Sequence, residues 1–72
     1  MTTAGMIRDK LSKGEWTALE ACEGLARALG DDPVDGVTPS ITDEETWLLV
    51  GELFKHAGMT AAKVVALIKA LM

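Results

Sequence analysis

The stretch "ELFKHAGMTAAKVVALIK", which runs from Glu52 to Lys69, has the pattern of two helices joined by a tight corner. Gly58 stands where a helix commonly ends on a glycine, and Thr60 can cap the first turn of a second helix. Apolar residues recur at helical spacing on both sides of this corner. The corner therefore predicts an all-α fold in which the last two helices form a hairpin.

Capping and stop signals divide the rest of the chain into further helices. Thr42 and Glu45 fit the capping box S/T-x-x-E, which marks the start of a helix. Gly30, followed by "DDP", marks the end of an earlier one. The predicted fold is a small compact helical bundle with a short N-terminal helix (about 5–12) and three main helices (about 15–29, 43–57 and 60–71). Residues 30–41 form an acidic loop rich in proline and glycine, and the whole chain 1–72 forms a single domain.

Size and charge limit the classes of function. The chain has 72 residues, of which 49 % are hydrophobic, so some apolar side chains must stay on the surface of so small a domain. We therefore expect self-association or a protein partner. The formal net charge is −4, from seven basic and eleven acidic residues. Phosphate backbones attract clustered Lys and Arg, so the excess of acidic residues disfavours nucleic-acid binding. Only a local basic patch would leave that function open.

We expect neither secretion nor a membrane-spanning helix. The start, "MTTAGMIRDK", lacks a hydrophobic signal core. The apolar run from Ala61 to Met72 would span roughly 18 Å as a helix, short of the roughly 30 Å of hydrocarbon in a bilayer. Lys63 and Lys69 also interrupt this run. We expect a cytoplasmic protein that does not span a membrane.

Steps of 100° per residue assign a buried face to each main helix. On the helix that starts near Glu15, the predicted buried residues are Ala18, Cys22, Leu25 and Leu29. On the next helix they are Trp47, Val50, Leu53, Phe54 and Ala57, and on the last they are Val64, Leu67, Ile68 and Leu71. Gly51 lies beside the second of these faces, and a mid-helix glycine costs roughly 1 kcal/mol relative to alanine. We expect that another helix approaches closely there.

Several side chains fall outside these faces and are candidates for partner binding. Trp16 lies among charged residues, where it is either covered by the N-terminal segment or exposed as an anchor for a partner. Leu48 lies opposite the apolar face, as a lone exposed leucine or as a contact residue. The strip of alanines between Lys63 and Lys69 is either a dimer interface or a solvent face. The candidate partner-binding residues are Trp16, Glu20, Glu23, Asp31, Asp32, Asp35, Leu48, Lys63 and Lys69.

Residues able to carry catalysis are few. His56, the only histidine, follows Glu52 by four residues. The two form either a proton relay or, as we expect, a solvent-facing pair near a helix end. Cys22, the only cysteine, lies in the middle of an apolar face and is predicted to be an inert core thiol. We expect no enzymatic activity and no cofactor.

The acidic loop invites comparison with a calcium site. Asp31, Asp35 and Gly36 match the first, fifth and sixth places of an EF-hand loop. Pro33 at the third place and Thr42 at the twelfth do not supply the carboxylates found there. We therefore expect no metal site in this loop, and we expect its aspartates to contact basic groups on a partner.

Residues 51–70 resemble the twenty-residue helix-turn-helix pattern of DNA-binding proteins. Gly58 takes the place of the turn glycine, and the apolar packing positions are held by Leu53, Ala57, Met59, Val64 and Leu67. Phe54 departs from the pattern, since that place usually holds a small residue. The positions that would face the major groove are Thr60, Ala61, Ala62, Val65, Ala66 and Lys69. Four of these six are alanine or valine, which cannot donate or accept hydrogen bonds at base edges.

The sequence therefore predicts a non-enzymatic protein–protein interaction module. A small regulator, inhibitor, adaptor or assembly factor of the kind that bacteria and phages encode would fit, by analogy. It should act through its helix faces and self-associate. The alternative, implied by the resemblance, is a helix-turn-helix DNA-binding transcriptional regulator.

Overall fold

The computed structural model describes residues 2–72 and shows an all-helical chain. Its elements are α1 (Thr3–Ser12), α2 (Ala18–Leu29), α3 (Asp43–Ala57) and α4 (Ala61–Leu71). The only extended pairing within the described part is a single bridge between Val34 and Val37. The predicted small helical bundle is confirmed, and the predicted bounds of α3 match the observed ones.

A threonine starts every helix. The hydroxyls of Thr2, Thr17, Thr42 and Thr60 each accept a hydrogen bond from the backbone N–H three residues later. At Thr17 and Thr42 a glutamate returns the bond to the threonine N–H, which completes a capping box. Each such cap contributes about 1 kcal/mol to helix stability. The four helix starts are thus determined by local sequence.

Helix α2 begins three residues later than predicted, because Thr17 and Glu20 form its capping box. Glu15 and Trp16 lie in the connection before it, where both backbone N–H groups donate to the Lys10 carbonyl. Trp16 therefore occupies no position on the helical wheel of α2. The predicted placement of Trp16 on the charged side of that helix is wrong.

The core is formed by all four helices and the loop between α2 and α3. Its largest fully buried apolar side chains are Ile7, Leu25, Leu53, Val64 and Cys22. Cys22 is fully buried, as predicted, and burial raises the pKa of its thiol. Leu29 and Leu71 were expected in the core but are exposed, because each is the last residue of its helix.

The loop over residues 30–41 contains a tight turn, as the "VDGV" sequence indicates. Val34 and Val37 exchange two backbone hydrogen bonds of 3.1 and 2.9 Å across the turn. Asp35 and Gly36 both have positive φ, 51° and 78°, which is the signature of a type I′ turn. The turn brings the Val34 side chain into the core, where it is 2 % exposed.

A buried threonine attaches this loop to α1. The Thr3 hydroxyl donates to the Thr38 carbonyl at 3.0 Å and accepts from the Ser40 N–H at 3.3 Å. Thr3 has no exposed surface, so its hydroxyl is shielded from water, although its partners Thr38 and Ser40 are exposed residues of the loop. The two hydrogen bonds satisfy a buried hydroxyl that would otherwise destabilise the fold.

Helix α3 turns a different face to the core than predicted. Leu49, Val50 and Leu53 are buried, whereas Trp47 and Phe54 are exposed. Four successive apolar residues, Trp47–Val50, go right round the helix, so some of them must face outward. The prediction that Trp47, Phe54 and Ala57 belong to the buried face is wrong, because the neighbouring helices cover the Leu49–Leu53 side instead.

Candidate functional site

The outward side of α3 is an exposed apolar surface. Its apolar side chains are Trp47, Leu48 and Phe54, which are 61, 63 and 63 % exposed. At 100° per residue they share an arc of about 120° with Glu44, Gly51 and Lys55. All six residues are exposed. We call these six residues the outer face of α3.

Gly51 lies in the middle of the outer face, between the two aromatic side chains. A Cβ atom placed on it would have no heavy atom within 4 Å. No other helix of the chain approaches it, so the expected close approach is not found within this fold. A glycine inside a helix costs roughly 1 kcal/mol relative to alanine, and no contact within this fold requires one here. Gly51 leaves a notch that is flanked by Trp47 and Phe54.

Beside Trp47 the outer face continues into a shallow apolar groove of about 250 Å³ between α3 and α4. Its lining residues are Leu29, Thr46, Trp47, Val50, Val65, Ile68, Lys69 and Met72. On the opposite side, Leu48 borders a groove of about 300 Å³ between α1 and α3. The outer face is thus a ridge with a depression on each side.

Charges are segregated along α3. Its first turn carries Asp43, Glu44 and Glu45, and its last turn carries Lys55 and His56. This arrangement opposes the helix dipole, whose positive end is at the N-terminus, and therefore stabilises the helix. It also gives the outer face an acidic end and a basic end.

Glu52 lies on the flank of α3 that meets α1. Its carboxylate pairs with His56 Nε2 at 3.0 Å and with Arg8 Nε at 3.7 Å. The predicted Glu52–His56 contact therefore forms on the helix surface, with an arginine from α1 added to it. These three side chains connect α1 to α3 beside the outer face.

The predicted candidate Trp16 has partners inside the chain. Its ring packs so closely on Gly24 that a Cβ atom there would lie 2.9 Å from Cζ3. The Lys10 ammonium lies 5.4 Å from the ring centroid, within the range of a cation–π interaction. Trp16 is half-buried. The structure thus supports the covered interpretation, in which α1 contributes the cover through Lys10.

The acidic candidates lie away from α3. Glu20, Glu23 and Asp35 line a cleft of about 200 Å³ beside Trp16. Glu20 is used in the cap of α2, and Asp35 pairs with Lys10 at 3.3 Å. The loop candidates Asp31 and Asp32 are exposed, like Glu23. In the range 2–72 no three His, Cys, Asp or Glu side chains come together in a way that could hold a metal ion.

The lysine candidates lie on the outside of α4. Lys63 and Lys69 are exposed, and so are the alanines between and beside them, Ala62, Ala66 and Ala70. The prediction of an outward alanine strip is therefore confirmed. Lys69 also borders the apolar groove beside Trp47. Of the predicted candidates, Leu48 lies on the outer face of α3 and Lys69 next to it.

Trp47 and Phe54 are the candidates that sequence reasoning missed. The 100° steps placed both on the predicted buried face, together with Val50 and Leu53. Leu49 and Leu53, four residues apart, offer a second apolar face, and helical spacing alone does not choose between the two.

The corner between α3 and α4 has the glycine stop and the threonine cap that the sequence predicts. Gly58 ends α3 in the left-handed conformation with φ of 66°, and Thr60 caps α4. Phe54 is 63 % exposed at this corner, and the buried residue next to it is Leu53.

Comparison with protein-family models, with curated proteins and with solved structures gives no match for this chain. Among residues 2–72, no helix combines the length and the apolar character that crossing a bilayer requires.

Proposed function

We propose that this chain is a non-enzymatic interaction module that binds a protein partner through the outer face of α3. The observation that carries the proposal is the exposure of Trp47, Leu48 and Phe54, each above 60 %, on one helix. Aromatic residues are enriched at the centres of interfaces and among the residues that dominate binding energy. Exposed apolar ridges of this kind mark binding surfaces in soluble proteins.

The ridge is also preorganised for binding. A capping box holds the first turn of α3, and Glu52 connects the helix to α1 through Arg8. The helix therefore exists before the partner arrives, and binding does not have to order it. Trp47, Gly51 and Phe54 have the i, i+4, i+7 spacing with which one helix packs against another. A role as regulator, inhibitor, adaptor or assembly factor follows from such a module.

Affinity capture from the source cells tests the proposal. Immobilised wild-type chain should retain a stoichiometric protein, and the double variant Trp47→Ala, Phe54→Ala should lose it. Leu19→Ala is the matched control, because Leu19 is a 49 % exposed leucine on α2, outside the outer face. Equal capture by the double variant would contradict the proposal, as would the absence of any partner together with a strictly monomeric chain.

The corner at Gly58 favours a second candidate, a DNA-binding regulator. The side of α4 that would enter the major groove is exposed and carries Thr60 and Lys69. The apolar residues that separate them offer little for base readout. Retention on a random duplex at low salt, with steep loss as salt rises, is the outcome that this candidate requires.

A further inference from the structure

We infer that the partner of the outer face is a second copy of this chain. The two copies would pair through antiparallel α3 helices, with Gly51 of each copy at the two-fold axis. The inference rests on the proposed function, since it requires that the outer face binds protein. Three features of α3 support it, namely the notch at Gly51, the spacing of the large side chains and the segregated charges.

The notch determines where two helices can come closest. Nothing lies within 4 Å of the position of a Cβ on Gly51, so another backbone can approach at this point. A glycine at a helix crossing lets two backbones come closer than other residues allow. Gly51 has no such neighbour within its own chain, and a second α3 would supply one.

The spacing around the notch is self-complementary. With 1.5 Å of rise per residue, Phe54 lies roughly 4.5 Å beyond Gly51 and Trp47 roughly 6 Å before it. Antiparallel pairing about Gly51 brings Phe54 of one copy to within about 1.5 Å, along the helix axis, of the level of Trp47 of the other. Trp47 and Phe54 also lie toward the same edge of the outer face, so each aromatic side chain meets one from the other copy, as the two-fold symmetry of a homodimer requires.

The charges on the outer face select the antiparallel direction. Glu44 lies near one end of the face and Lys55 near the other. In an antiparallel pair each Glu44 lies on the same side of the axis as Lys55 of the second copy, within reach of a lysine side chain. In a parallel pair the acidic first turns, Asp43–Glu45, would meet each other. Like charges facing each other across an interface are costly.

A standard dimer interface needs only part of this chain's surface. The chain exposes 4413 Å². A standard interface of about 800 Å² a side is under a fifth of that surface.

Sedimentation equilibrium of the wild type and of Gly51→Glu tests the pairing. The wild type should show a monomer–dimer equilibrium. Gly51→Glu should fold, because open space surrounds this position, and its dimer should be at least about thirtyfold weaker, because two carboxylates meet at the axis. Ala66→Glu, on the exposed alanine strip of α4, is the matched control and should leave the dimer unchanged. Dissociation by Ala66→Glu instead would place the interface on α4 and overturn the inference.

A charge exchange tests the direction of the helices. Glu44→Lys alone and Lys55→Glu alone should each weaken self-association about fivefold, because each creates two like-charged contacts. An equimolar mixture of the two variants should associate as tightly as the wild type, since both contacts become attractive in the mixed dimer. Glu23→Lys, an exposed change of the same type on α2, should have no effect. A mixture as weak as its components would overturn the antiparallel arrangement.

The failure of this inference can be told apart from failure of the proposed function. A wild type that stays monomeric up to roughly 0.5 mM excludes a dimer of useful affinity. If the outer face then captures a protein of different sequence, and the Trp47→Ala, Phe54→Ala variant does not, the inference falls and the proposed function stands. If neither binding is observed, both fall.

Discussion

Gly51→Ala should make the isolated fold more stable, and this follows from the exposed position of the outer face. The residue lies in the interior of the fifteen-residue helix α3, so alanine gains about 1 kcal/mol in helix propensity. The added methyl group meets no atom within 4 Å, so no steric penalty offsets this gain. For a domain of this size, about 1 kcal/mol corresponds to a rise in Tm of about 4–8 °C.

The measurement is urea unfolding followed by circular dichroism, at a concentration low enough for the chain to be monomeric. The midpoint should rise while the slope of the unfolding free energy against urea stays unchanged. Two other glycines serve as controls. Gly24→Ala should be less stable than Gly51→Ala by about 1–3 kcal/mol, because its methyl group would press on the Trp16 ring. Gly58→Ala should destabilise the chain, because Gly58 has a positive φ of 66°.

A loss of stability in Gly51→Ala would contradict the open surroundings of Gly51. It would mean that the position is occupied by another part of the chain, so that the outer face is not free. An unchanged stability at Gly24→Ala relative to Gly51→Ala would refute the described contact between Trp16 and α2 as well.

Thr3→Val should cost about 1–3 kcal/mol of unfolding free energy, because the Thr38 carbonyl and Ser40 N–H lose a buried partner; an unchanged urea midpoint would contradict this. The raised pKa of Cys22 leaves the folded thiol neutral where the unfolded one ionises. The free energy of unfolding should therefore fall as the pH rises above 9.0, the usual pKa of a thiol. Cys22→Ala should lack that part of the pH dependence. A wild type whose stability does not change in this pH range would count against the buried thiol. A random DNA duplex at low salt should not retain the chain; retention that is lost in Lys69→Ala would establish the DNA-binding candidate in its place.

The helix ends could be predicted from sequence because their determinants are local. Thr42, Glu45 and Gly58 set the bounds of α3 through hydrogen bonds that span three to five residues. The turn at Asp35 and Gly36 follows from two residues that tolerate positive φ. Such signals depend little on the rest of the fold, and the missed start of α2 at Ala18 came from an unused capping box rather than from a tertiary effect.

The orientation of α3 could not be predicted, because it depends on contacts distant in sequence. Trp47 and Phe54 form one apolar face of α3, Leu49 and Leu53 form another, and Val50 lies between the two. Helical spacing alone does not choose between these faces. The choice is made by α1, which brings Arg8 to Glu52, and by the packing of Leu53 in the core. The two aromatic residues then remain on the surface, which is why the candidate site was missed although the fold was predicted.

The outer face of α3 should be covered by protein in the functional state, and the emission of Trp47 tests this claim. In a Trp16→Phe background Trp47 is the only tryptophan, and position 16 keeps an aromatic side chain. In the dilute chain its emission should be red-shifted and readily quenched by acrylamide, because the side chain is exposed. When the chain is concentrated, or mixed with its captured partner, the emission should shift to the blue and the quenching should fall. A complex in which Trp47 stays as red-shifted and as quenchable as in the dilute chain would contradict the claim.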